Sequence, residues 1–180
     1  KPQDIDKKYD LIFVGRLEKN KGADMFVEAV AELGIRAVVV GTGPLENNLK
    51  SLAEKTGANI IFHGFAKDAS EVARLMNESR VLAMCSHNEG GPRVIVEAMA
   101  CGVPVLATSV GIVPDIIKNG ESREIIDWNA EDIAAKAKEF LSDKDKYEKY
   151  RQAGLEIAKQ FEKKVAIKNY ADKLKSLSSL

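Results

Sequence analysis

Short apolar runs recur along the chain, and helical patterns fill the spaces between them. The runs are Leu11–Val14, Ala37–Val40, Ile60–Phe62, Val81–Met84, Val105–Ala107 and, more weakly patterned, Glu124–Ile126. Each is apolar without alternation, as expected for strands of a parallel sheet covered on both faces. Helical segments are expected at Gly22–Leu33, Leu45–Thr56, Ser70–Asn77, Pro92–Cys101 and Val113–Lys118. Strand and helix alternate, so the sequence predicts an α/β fold: a doubly wound parallel sheet of about six strands. Three extra C-terminal helices follow, at Ala130–Leu141, Lys144–Lys159 and Glu162–Leu177. Residues 1–9 are polar and read as a linker, 10–160 as the sheet domain, and 161–180 as a separate final helix.

Bulk chemistry excludes several classes. The 180 residues carry 27 basic and 27 acidic side chains, so no net charge favours wholesale nucleic-acid binding. The apolar runs are too short to span a bilayer, and no signal peptide opens the sequence. Cys85 and Cys101 lie in apolar contexts without a C-x-x-C spacing. They read as buried thiols of a reducing compartment. His63 and His87 lack a metal-ligand partner at helical spacing. No P-loop is present, and the D-x-D strings Asp4-Ile5-Asp6 and Asp143-Lys144-Asp145 lie away from strand ends. No metal and no cofactor is therefore expected.

Ligands of such sheets bind at the carboxyl ends of the strands. Gly15 and Arg16 follow the first strand, with Lys21-Gly22 at a helix start. A guanidinium fork, an ammonium and a helix N-terminus suit a diphosphate, although two solvated surface charges would read the same. Gly41-Thr42-Gly43-Pro44 follows the second strand and begins like a dinucleotide fingerprint. Glu46 stands where a third glycine belongs, so NAD and FAD are rejected and a tight strand-to-helix turn is favoured. Gly64-Phe65 follows the third strand; Phe65 packs as core by default, or stacks on a base.

The segment from Asn88 to Val105 is the densest in chemistry. Glu89-Gly90-Gly91 forms a glycine-rich loop ahead of a helix that starts at Pro92 and stops at Gly102 and Pro104. The backbone N–H groups of Gly90, Gly91, Arg93 and Val94 stand ready for an anion. Around residues 92–101 nearly the whole circumference is apolar, which predicts a buried helix and a buried Glu97 in need of a polar partner. A salt bridge with Arg93, four residues earlier, is the alternative, in the less favourable order. A functional role for Glu97 is preferred to that pair.

These blocks resemble the C-terminal half of glycosyltransferase family 4, whose members are retaining, nucleotide-sugar-dependent enzymes of the GT-B fold. The resemblance rests on Phe13-Val14-Gly15-Arg16-Leu17 with Lys21-Gly22, on Val40 to Pro44, on His63-Gly64-Phe65, and on Glu89 to Glu97 with Ala98 to Thr108. It runs in order from about Leu11 to Asp115. It implies a Rossmann-like donor-binding domain over residues 10–160 and a final helix that crosses to an N-terminal domain not in this chain. It implies that Arg16 and Lys21 hold the donor diphosphate and that Glu89 touches the donor sugar near the reacting carbon; these three are the expected catalytic groups. Amides of Gly90, Gly91, Arg93 and Val94 would meet sugar or phosphate, Glu97 the ribose, and Gly64 and Phe65 the base; Gly15 and Gly41 would line the same site. The resemblance further implies a UDP- or GDP-linked sugar donor and no divalent metal. It also implies a glycan or lipid-linked acceptor bound by the missing half, and a cytoplasmic location, with that half able to reach the inner face of a membrane. Two departures stand out. Gly91-Pro92 replaces the family's Phe-Gly, and Arg123-Glu124-Ile125-Ile126 replaces its Gly-Leu-Leu-Val, where no role is carried over. A non-catalytic module that binds nucleotide-sugars or phospho-ligands is the alternative reading. A sugar-nucleotide epimerase of the same fold fits the Glu89–Glu97 block poorly.

Overall fold

A computed structural model of the chain describes residues 1–91, 93–111, 113–116 and 123–162, with 165 and 167. Pro92, the last two residues of the expected helix Val113–Lys118, and almost all of the expected helix Glu162–Leu177 lie outside the described residues. The elements are β1 (Tyr9–Val14), α1 (Ala23–Leu33), β2 (Arg36–Val40), α2 (Glu46–Thr56), β3 (Asn59–Gly64), α3 (Ala69–Asn77) and β4 (Ser79–Met84). Then follow α4 (Arg93–Ala100), β5 (Val105–Thr108), α5 (Val113–Ile116), β6 (Arg123–Ile126), α6 (Ala130–Ser142) and α7 (Lys144–Gln160).

The six strands form one parallel sheet in the order β3-β2-β1-β4-β5-β6. The apolar runs read as continuous because successive residues serve opposite faces. Leu11 and Phe13 of β1 join Ala37 and Val39 of β2 in a core covered by α1, α2 and α6. Ile12 joins Val38, Val40, Leu82 and Met84 in a second core under α3 and α4. Helix α7 serves both, with Tyr150 in the first and Ala158 in the second. Side-chain caps start three helices: Asp68 accepts from the Glu71 amide, Asn129 from that of Asp132, and Asp143 from those of Asp145 and Lys146. Both cysteines are buried and free, and burial pushes the Cys85 thiol up to about 12. Among the described residues, no helix is long and apolar enough to cross a membrane.

The expected linker is one residue shorter, because Tyr9 already pairs with Ser79 in the ladder. The residues before it lie against the α3–β4 turn. The Gln3 amide donates to Asn77 Oδ1 at 2.7 Å, and Lys7 Nζ donates to the carbonyls of Asn77 and Ser79 at 2.8 and 2.9 Å.

A polar cluster joins α7 to β6. The Tyr150 hydroxyl donates to Glu124 Oε1 at 2.6 Å, and Lys146 Nζ bridges Glu124 at 2.9 Å and Glu139 at 2.6 Å. Burial pushes the Glu124 carboxyl up, but the Tyr150 and Lys146 hydrogen bonds outweigh it and hold it below the ordinary carboxylate range. Burial and the bond to Glu124 together push the Tyr150 hydroxyl up. A carboxyl whose folded pKa is depressed adds stability above its unfolded value, about 4.3, and loses it as pH falls through the folded one. Glu124→Gln is therefore expected to destabilise the fold by about 1–2 kcal/mol near neutral pH. The gap to wild type should close as urea melts are moved below about pH 4. A gap that stays constant down to pH 3 would exclude an ionised Glu124 as its source.

Candidate functional site at the sheet switch point

In the order 3-2-1-4-5-6 the strand order reverses between β1 and β4, and a crevice opens at their carboxyl ends. A cleft of about 320 Å³ lies there, lined by Gly15, Arg16 and Lys21 from the loop after β1 and by Ser86, Glu89 and Gly91 from the loop after β4, with Arg93 and Val94 of α4. A hollow of about 370 Å³ beside Lys50, Glu54, Gly57 and Phe62 is larger, but it lies toward the amino end of β3, away from the carboxyl ends of the strands.

Lys21 ends a short 3-10 turn, Lys19–Lys21, that leads into α1. Its Nζ donates to Glu89 Oε1 at 2.7 Å, across 68 positions of sequence, and the side chains are only 20% and 16% exposed. The Ser86 hydroxyl donates to the same Oε1 at 2.7 Å. Ser86 is buried, and its carbonyl accepts from Thr108 Oγ1 at 2.6 Å and from Trp128 Nε1 at 3.2 Å. The His87 amide donates to the Asn20 carbonyl at 2.8 Å, which ties this loop to the turn that carries Lys21. Gly111, at φ +55°, passes so close that a Cβ there would sit 1.9 Å from the Glu89 carbonyl oxygen. The loop after β4 is thus fixed from the turn before α1, from the end of β5 and the turn after it, and from the residues following β6. The result is a largely buried ammonium–carboxylate pair at the crevice floor, able to receive an anion and hydroxyl donors.

Other predicted groups sit differently. Arg16 stands at the rim, three-quarters exposed, paired with Glu18 at 2.6 Å. Gly15 and Gly41 continue the sheet beyond the strands: the Gly15 amide donates to Val40 O at 3.0 Å and the Gly41 amide to Gly64 O at 2.8 Å. Gly43 closes the favoured strand-to-helix turn, accepting from the Glu46 amide at 3.1 Å. Phe65 is 77% exposed, so the default reading of it as core is corrected: just past β3 the chain has left both helical layers. His63 lies 3.5 Å from Glu71.

Two expectations for the Glu89–Glu97 segment fail. Helix α4 is not buried all round. It buries Ile95, Ala98 and Met99, whereas Glu97 is exposed and lies 3.8 Å from the still more exposed Arg93. A helix on one face of a sheet buries a stripe, whatever the chemistry of its other positions. The Arg93 amide is also not free for an anion, because it donates to the Gly91 carbonyl at 2.9 Å. The sequence assigns no site role to Ser86, Thr108, Gly111 or Trp128. Trp128 carried the clearest signal, as the only tryptophan, just past an expected strand.

Residues 1–157 match the family described as glycosyl transferases group 1. An uncharacterized glycosyltransferase, MJ1178 of Methanocaldococcus jannaschii, is 28% identical over 83% of this chain and 43% of its own length. A D-inositol 3-phosphate glycosyltransferase of Segniliparus rotundus is 30% identical over 83% of this chain and 36% of its own. The chain thus spans less than half the length of these curated relatives. The crystal structure of the C-terminal domain of a glycosyl transferase group 1 family protein, LpcC, from Francisella tularensis superposes with a TM-score of 0.77 at 29% identity, over 87% of each chain. Anabaena HepE in complex with UDP gives a TM-score of 0.82 at 24% identity, over 96% of this chain and 49% of that one, and shares the fold of a GT-B Rossmann-like half. The chain belongs to the family of glycosyl transferases group 1.

Proposed function

We propose that this chain is the donor-binding half of a retaining, metal-independent glycosyltransferase, which moves a mannosyl- or glucosyl-like hexosyl unit from a nucleotide-diphosphate sugar to an acceptor. The observation that carries the reading is the Lys21–Glu89 pair at the crevice floor, with Arg16 at its rim. In the transfer, the bond from the anomeric carbon to the diphosphate oxygen breaks, one to an acceptor oxygen forms, and the proton of the acceptor hydroxyl passes to the departing diphosphate. Charge grows on the departing diphosphate, and fixed cations lower that barrier. Lys21 and Arg16 supply them. The diphosphate competes with Glu89 for the Lys21 ammonium, and Glu89 turns to accept hydrogen bonds from the donor sugar.

The amides of Gly90, Gly91 and Val94 face the sugar or phosphate, and Gly15, Gly41 and Gly64 shape the cleft behind them. The exposed Phe65 stacks on the base, and the exposed Glu97 accepts from the ribose hydroxyls. HepE has been solved with UDP, with UDP and glucose, and with UDP-glucose, which makes uridine the base to test first. The acceptor, a glycan or lipid-linked sugar, belongs to an N-terminal half. The setting is the cytoplasm, with that half at the inner face of a membrane.

Calorimetric titration of the chain with UDP, GDP and ADP, and with UMP as the short control, tests the donor site. One diphosphate is expected to bind, and its monophosphate at least tenfold more weakly, since charge-assisted bonds to the second phosphate are lost. The chain alone is expected to transfer no radiolabelled sugar. Turnover by these 180 residues, or equal affinity for UDP and UMP when UDP is the nucleotide bound, would sink the reading.

A further inference from the structure

Trp128 is the only tryptophan of the chain and follows β6. Nearly half of it is exposed, so it is not a core residue, yet its indole N–H turns inward to the carbonyl of Ser86, which is buried. Its ring lies parallel to that of His87, at 10° with centroids 6.1 Å apart. The Thr108 hydroxyl bonds the same carbonyl at 2.6 Å. Two donors on one carbonyl use both of its lone pairs and hold the Ser86 peptide in one orientation. The Ser86 hydroxyl in turn fixes Glu89 Oε1. Two hydrogen bonds, joined through the covalent frame of Ser86, therefore link the surface after β6 to the carboxylate at the crevice floor.

We infer that Trp128 is a positioning residue: its indole N–H, acting through Ser86, sets the orientation of Glu89 toward the donor sugar. The inference rests on the reading of Glu89 given above. A role in packing alone would need the ring and not the N–H. Trp128→Phe keeps the ring against His87 and removes only the donor. With one bond to the Ser86 carbonyl lost, the loop after β4 gains freedom where small displacements are costly to transfer.

The first test needs no ligand. The ¹⁵N-labelled chain gives a single indole N–H cross-peak. Ser86→Ala and Glu89→Gln are both expected to move it, and Lys138→Ala, on the outer side of α6, to leave it in place. A cross-peak unmoved by both site variants overturns the inference. The second test uses the full-length enzyme with UDP-glucose as donor. Trp128→Phe is expected to lower kcat about tenfold, with UDP affinity changed less than about twofold, because UDP lacks the sugar that Glu89 meets. Ser86→Ala is expected to do the same, and the double variant to be no worse than either single one. A wild-type kcat in Trp128→Phe, or losses that multiply in the double variant, overturns the inference. If Glu89→Gln itself leaves transfer intact, the reading of Glu89 falls and this inference with it. If Glu89→Gln abolishes transfer while Trp128→Phe is silent, the role of Trp128 alone falls.

Discussion

Gly41→Ala is expected to lower the melting temperature of the chain by roughly 10 °C or to leave it insoluble, whereas Gly90→Ala stays within about 2 °C. Gly41 has φ +133°, a conformation that side chains rarely adopt, and a Cβ there would lie 1.9 Å from the Gly15 carbonyl oxygen and 2.9 Å from its carbon. Both atoms are backbone and cannot rotate aside. They are also held, because the Gly15 amide is bonded to Val40 and the Gly41 amide to Gly64. Relief requires parting the ends of β1 and β2. Strain at such a φ costs about 1–3 kcal/mol. Overpacking adds about as much again. The sum, about 2–6 kcal/mol, is a large part of the 5–15 kcal/mol that holds a domain of this kind together. Around Gly90 a Cβ meets nothing within 4 Å, so alanine there is tolerated. Thermal melts followed by circular dichroism check both. A Gly41→Ala chain that melts with wild type would mean that the two strand ends are not locked together.

That lock explains why parts of the fold were legible in the sequence and parts were not. All six strands were recognised, since buried parallel strands leave unbroken apolar runs. The carboxyl ends of β1, β2, β4 and β6 match as well, but most amino-terminal ends do not, because the ladder begins over residues outside the apolar runs: Tyr9 pairs with Ser79, and Arg36 with Asn59. The glycines after β1 and β2 were read as ligand contacts, while the structure gives Gly41 a steric task that only the neighbouring strand reveals. Glu97 failed for the opposite reason. A helical wheel counts apolar residues around a circumference, but burial depends on which stripe meets the sheet. Lys21 and Glu89 were each identified by type and setting, yet their contact could not be, since it follows from β1 and β4 being neighbours across a crossover of three helices. Trp128 needed the same knowledge of strand order before its N–H had a partner.

The contact between Lys21 and Glu89 also sets the sign of the strongest functional prediction. Lys21→Ala removes a cation from the diphosphate and leaves a mostly buried carboxylate with Ser86 as its remaining donor among the described residues. UDP affinity is expected to fall at least tenfold, and transfer by the full-length enzyme by about 10²–10³-fold, the range typical of a lost transition-state donor. Stability is expected to fall by about 1–3 kcal/mol, below the 3–5 kcal/mol of a fully buried pair because both side chains keep some solvent contact. Glu89→Gln is expected to match that loss of transfer, since an amide is a weaker acceptor for sugar hydroxyls. Its effect on UDP runs the other way. In the unliganded site the carboxylate neutralises Lys21 and must be displaced from it when the diphosphate arrives. With glutamine the ammonium is released without that competition, so UDP is expected to bind as tightly as in wild type or more tightly, while kcat falls. Calorimetry with UDP and steady-state kinetics of the full-length variants separate the two roles. If Glu89→Gln weakens UDP binding as much as Lys21→Ala does, the carboxylate serves the diphosphate site rather than the sugar. The division of labour between the two residues would then have to be withdrawn.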